Sequence, residues 1–110
     1  MTAPREKKVL VIGDPFLCLI GAAAGADYLE FTGKCDDVEE IISKKHSEYG
    51  VIILSRTTTD KCGKTIDEFK ERYSNILFIT VESPKILAEI DPKKYYEEMI
   101  RKYIGLKISI

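Results

Sequence analysis

The 110-residue chain reads as an α/β domain: a four-stranded parallel sheet in the order 2-1-3-4, flanked by helices in a truncated flavodoxin- or receiver-like sandwich. Three observations predict it. Continuous apolar, β-branched runs recur at Val9–Ile12, Val51–Leu54 and Ile76–Val81, the pattern of strands buried on both faces. Helical apolar spacing fills the segments between them. The strands recur about every twenty residues, which leaves room for a crossover helix in each interval. Parallel strands joined by right-handed helical crossovers follow.

Taken in order, Val9-Leu-Val-Ile12 is the first strand and ends at Gly13-Asp14-Pro15. Phe16 to Ala24 is apolar nearly all round, which predicts a helix buried against the sheet. Tyr28-Leu-Glu-Phe31 alternates, as an edge strand would. Residues 36 to 48 place Val38, Ile41 and Ile42 on one helical face, with Tyr49 continuing it. Asp36 or Asp37 is the expected cap and Gly50 the expected terminator. Val51–Leu54 is the third strand. A helix over 65–73 turns Ile66, Phe69 and Tyr73 inward, and Ser74-Asn75 turns into the fourth strand. Ser83-Pro84 breaks the rhythm. Asp91 and Pro92 then suit the N-cap and first position of a last helix running to about Ile104, with Gly105 as its C′ residue. The expected organisation is an α/β domain over 1–84, then a connection and a partner-binding helix over 85–110.

Composition narrows the function. The apolar and charged fractions, 45% and 32%, describe a soluble globular chain, and a formal charge of -1 supplies no basic excess for nucleic acid. Abundant Lys and Glu with no Trp point towards a thermophilic source. Cys18, Cys35 and Cys62 are odd in number and form no CxxC pair, and His46 is the single histidine. A zinc site is therefore not expected, and no cofactor is expected elsewhere. Residues 1–8 are short and polar, unlike a signal peptide. No run is long enough to span a bilayer, so a cytoplasmic location is the default expectation.

The first strand–helix junction has the position of a phosphate site but lacks its residues. No Walker lysine lies between Lys8 and Lys34, and Gly13, Gly21 and Gly25 miss the dinucleotide spacing. Asp14 stands where receiver domains carry a metal-binding acid, yet Leu54-Ser55-Arg56 offers no acceptor carboxylate and Thr80 alone cannot substitute. Asp14 reads instead as a helix cap. Cys18, in an apolar segment, reads as a buried thiol with a raised pKa rather than a phosphocarrier nucleophile. His46 lacks an acid or nucleophile partner and reads as a surface residue. Arg56-Thr57-Thr58-Thr59-Asp60, at the sheet's carboxyl edge, reads as a capping cluster for the next helix.

The last helix carries two apolar stripes: Tyr95, Met99 and Tyr103 beside Tyr96, Ile100 and Ile104. One suffices to pack on the sheet, which leaves the other for a partner. A family comes into view through order and spacing along almost the whole chain. Gly13-Asp14 ends the first strand, and Ala24-Gly25 closes the next segment. Gly50-Val-Ile-Ile-Leu54 follows a lysine-rich helix, Ile79 to Pro84 forms a strand with a Ser-Pro exit, and Ile104-Gly105 ends the last helix. In these features the chain resembles the F subunit of the archaeal-type and vacuolar-type (A/V-type) rotary ATPases and ATP synthases. It departs from that family where Leu17 and Ile20-Gly21-Ala22 replace a more polar segment. The resemblance implies a small Rossmann-like, non-catalytic rotor component of the central stalk. It would bind the coiled-coil D subunit inside the catalytic A/B hexamer and help couple ATP turnover to ion translocation. As a peripheral part of a membrane-bound complex, it would not itself insert into the membrane. The contact residues this implies are Tyr95, Tyr96, Met99, Ile100, Tyr103 and Ile104. The alternative is a degenerate receiver- or phosphocarrier-like signalling domain using Asp14 or Cys18.

Overall fold

A computed structural model describes residues 5–82, 91–103 and 107–108. Four parallel strands form the sheet: β1 (Lys8–Gly13), β2 (Asp27–Glu30), β3 (Tyr49–Ser55) and β4 (Leu77–Val81). Their order is β2-β1-β3-β4, the expected 2-1-3-4. In register, Leu10 lies opposite Asp27 and Ile52, and Ile53 opposite Ile79. Helices α1 (Pro15–Ala23), α2 (Cys35–Lys45), α3 (Arg56–Lys61), α4 (Gly63–Arg72) and α5 (Pro92–Tyr103) make the connections and the outer layers. Arg5–Glu6 and Lys107–Ile108 form a separate two-stranded antiparallel pair.

Strand pleating sends alternate residues to opposite faces, so the molecule has two cores. Leu10, Ile12, Ile52 and Leu54 meet Val38 and Ile42 of α2 and Ile66 and Phe69 of α4. Val9, Val11, Val51 and Ile53 meet Leu17 and Ile20 of α1 and Tyr96 and Ile100 of α5. Two helices per face is the doubly wound arrangement.

Local chemistry sets the element ends. Asp14 caps α1, its Oδ1 accepting from the Leu17 amide at 2.9 Å, and Pro15 occupies the first turn, where its missing N–H costs nothing. At the other end Gly25 adopts φ +95°. Its amide donates to the Ala22 carbonyl at 3.1 Å and the Ala26 amide to the Gly21 carbonyl at 2.8 Å. That is a Schellman closure, in which a Cβ would be strained. Between these ends Gly21 sits against β1: a Cβ there would lie 2.9 Å from Val11 Cγ2.

Several expectations are corrected. Helix α1 is not buried all round: Leu17, Cys18, Ile20 and Gly21 face the sheet, whereas Phe16 and Leu19 are exposed. The sheet covers only one side of a helix laid on its face. Neither Asp36 nor Asp37 caps α2. Both lie in its first turn, where their charge complements the helix dipole, and Lys34 holds the cap position without a side-chain bond. Gly50 does not end that helix. A 3₁₀ turn over His46–Glu48 does, and Gly50 is buried inside β3. There Lys8 pairs with Tyr49 and Val9 with Val51, so Gly50 is the extra residue of a β-bulge. Residues 56–60, expected as a capping cluster, themselves lie in a short helix, Arg56–Lys61, capped by Ser55. The Ser83-Pro84 exit, the connection to 90, Ile104 and Gly105 lie outside the described residues.

Candidate partner-binding surface

Open α/β sheets bind ligands at the carboxyl ends of their strands, and here those ends are internally occupied. A Cβ on Gly13 would come within 2.8 Å of Leu17 Cδ2 and 2.9 Å of Ser55 Cβ, so side chains close over the end of β1. The Ser55 and Thr58 hydroxyls bond each other at 2.8 Å, and the Thr58 amide donates to Ser55 Oγ at 3.2 Å. Thr59 and Thr80 hydroxyls are bonded at 2.9 Å. Arg56 closes the row on Glu82, with Nη2 2.6 Å from Oε1. This pairing holds the Glu82 carboxyl below the usual carboxylate range and raises the guanidinium. Asp14 spends its carboxylate on the α1 amide. Thr80, the fourth-strand threonine that could not complete a receiver-like site, is thus half of a strand-to-helix tie.

The thiol of Cys18 is buried under α1, 3.6 Å from the Gly13 carbonyl oxygen and 3.5 Å from that of Leu29. Burial pushes its pKa up, and the charges of Asp14 and Glu30 add to the effect, as an apolar setting predicts. His46 follows α2 at the sheet's amino edge, the end opposite Cys18. It is not a free surface side chain: its ring stacks on Tyr73 with centroids 4.1 Å apart and planes 11° from parallel. Among the described residues, no three His, Cys, Asp or Glu side chains gather as metal ligands.

Helix α5 is where the sequence placed the partner contacts, and the structure divides those residues. Tyr96 and Ile100 are fully buried in the chain's own second core. The Tyr96 hydroxyl donates to the Glu82 carbonyl at 3.2 Å, and its ring lies 5.8 Å from that of Phe16. In this conformation the pair is not presented to a partner, because a helix laid on a sheet uses its central stripe there. Tyr95, Met99 and Tyr103 flank that stripe, half-buried. Ile104 lies outside the described residues.

Sequence reasoning missed what lies beside α5. Between it and α1 runs a groove of about 410 Å³, floored by Phe16, Leu19, Ile20, Ala23 and Ala24 and rimmed by Lys93, Glu97 and Arg101. Leu19 is 67% exposed and Phe16 39%, an apolar patch on a surface otherwise rich in charge. The signal was present in the all-round apolarity of 16–24, which exceeds what one sheet face can cover.

Sequence reasoning also missed a covalent bond: Cys35 and Cys62 form a disulfide with Cα atoms 5.6 Å apart. Both cysteines stand at helix starts on the same sheet face, the only hint the sequence held.

No helix among the described residues is long and apolar enough to cross a membrane. No protein-family model and no curated protein matches the chain. Among solved structures it is similar to a de novo designed Rossmann fold protein, at 11% identity and a TM-score of 0.54, over 92% of this chain and 100% of that one. At that identity the likeness concerns backbone architecture alone, and it makes the fold a small Rossmann-like α/β sandwich.

Proposed function

We propose that this chain is a non-catalytic central-stalk component of a rotary A/V-type ATPase or ATP synthase. It would bind the coiled-coil D subunit within the A/B hexamer and help transmit ATP turnover to ion translocation. The observation that carries the reading is the exposed apolar groove between α1 and α5, on a domain whose carboxyl edge is filled by its own side chains. Phe16 and Leu19 are suited to an apolar stripe on a partner helix, and Tyr95, Met99 and Tyr103 widen the contact along α5. Tyr96 and Ile100 would act indirectly by docking α5 on the sheet. Burying two large side chains stabilises a complex by a few kcal/mol at about 25 cal/mol per Å², less the ordering cost.

The test is titration of the purified chain with the coiled-coil stalk protein of such an ATPase, followed by sedimentation and calorimetry. A one-to-one complex, lost in Leu19→Glu while circular dichroism stays unchanged, is expected. Absence of a complex, or an unaffected affinity in Leu19→Glu, overturns the assignment of this surface. Stable phosphate incorporation from a small phosphodonor, abolished in Asp14→Ala or Cys18→Ala, would favour the signalling alternative instead.

A further inference from the structure

We propose that the Cys35–Cys62 disulfide is a redox-active pair, opened by small thiols and reclosed by small disulfides, both of which enter at Cys35. Its two sulfurs differ in access. Cys35 is half-buried at the first position of α2, whereas Cys62 is 2% exposed within the core under α2 and α4. A thiolate attacks a disulfide sulfur directly, so access selects Cys35.

The leaving sulfur lies at the α3–α4 junction. Cys62 is the cap residue of α4, a ten-residue helix, and lies between Lys61 and Lys64. Burial opposes a thiolate there, and the α4 amino end with its flanking lysines offsets only part of that, so access at Cys35 is what selects the site of attack. The Lys61 ammonium reaches across to the β2–α2 loop, 3.4 Å from where a Cβ on Gly33 would stand, so it bridges the two segments the disulfide joins. Asp36, Asp37 and Asp60 are the carboxylates nearby in sequence. After opening, the Cys35 sulfur already lies 3.6 Å from the Lys61 carbonyl oxygen, an acceptor for its S–H.

In the exchange, the reagent thiolate forms a bond to Cys35 Sγ as the Cys35–Cys62 bond breaks. The electron pair leaves on Cys62 Sγ, which takes a proton from water. A second reagent thiolate attacks the reagent's own sulfur in the mixed disulfide and releases Cys35 as thiolate, which is then protonated. Two reagent thiols become one disulfide, and the protein gains two thiols. The structural result is release of the α2 start from the α3–α4 junction beside the sheet's carboxyl edge.

The experiment treats the full, air-oxidised chain with reduced glutathione in native buffer, quenches with an alkylating agent and maps peptides by mass. A glutathione adduct on Cys35, absent from Cys62 and Cys18, is expected. Opening should proceed in native buffer without denaturant. Cys62→Ser, which cannot reclose the bond, should accumulate the Cys35 adduct when treated with oxidised glutathione. If that variant fails to fold, the wild-type map decides alone. Three free thiols in the oxidised chain, an adduct on Cys62, or opening seen only in guanidinium overturns the proposal and leaves an inert staple or none.

Discussion

Reduction of the Cys35–Cys62 bond gives the sharpest test of how this fold is held. The bond closes a loop across a sequence separation of 27, and the open chain gains the entropy of that loop when unfolded. With the standard loop-closure relation this is about 12 cal/mol/K, or about 3.5 kcal/mol at room temperature. A 110-residue chain unfolds with about 230 cal/mol/K near its midpoint, so the loss corresponds to a fall of about 15 °C in Tm. The assay is a thermal melt followed by circular dichroism with and without a phosphine reductant, with guanidinium melts alongside. Because the sequence is unchanged, no packing is lost except at the sulfurs themselves. A Cys35→Ala variant, half-buried and so cheap to truncate, should reproduce the reduced value and lose its response to reductant. A fall of less than about 4 °C in both would refute the reasoning, since the loop would then be restricted already in the unfolded chain.

Three further outcomes follow from the geometry. Asp14→Ala should lower stability by about 1 kcal/mol in a guanidinium melt, because the Leu17 amide loses its cap. Gly21→Val should cost about 1–3 kcal/mol against Val11, and Val11→Ala in the same chain should recover part of that loss, a coupling readable in a double-mutant cycle. Alkaline stability should fall from about pH 10 upwards. Tyr96 is pushed up to about 12 chiefly by burial, with Asp14 and Tyr95 adding, and Tyr49 is raised in the same sense by burial and its 2.8 Å bond to Asp27. The native state holds these protons more tightly than the unfolded one, so their stabilisation is complete below the unfolded value near 10 and is lost as pH rises past it towards 12. Tyr96→Phe should flatten that slope in a pH series of melts.

The four strands were legible because strands buried on both faces need unbroken apolar runs, and Val9–Ile12 or Val51–Leu54 permits little else. Asp14 was legible because a short carboxylate before a proline at a helix start has one obvious use. The short α3 was not, since Arg56–Lys61 has three threonines and no apolar period. Its helicity rests on the local Ser55 cap and on the Thr59–Thr80 tie, and the second is tertiary. The disulfide was hidden because no sequence spacing states which of three cysteines meet. Helix α1 misled for the opposite reason: its apolarity was plain, but how much of it a sheet could cover depended on where α5 came to rest. The groove is what remains uncovered.

The doubly wound sheet carries a last consequence. In β1 the residues aimed at one face, Leu10 and Ile12, are nearly the same in size and polarity as those aimed at the other, Val9 and Val11. A slip by one residue would exchange the two sets and still bury only hydrocarbon. Polarity therefore does not choose the register here, as it would in a sheet with one wet side. Volume does. Gly21 leaves room at one height for Val11, and Gly13 leaves room at another for Leu17 and Ser55. These two absent methyl groups act as a vernier scale between helix and strand, matching at one alignment only. Filling either would force the side chains that face it to move before it exposes any core.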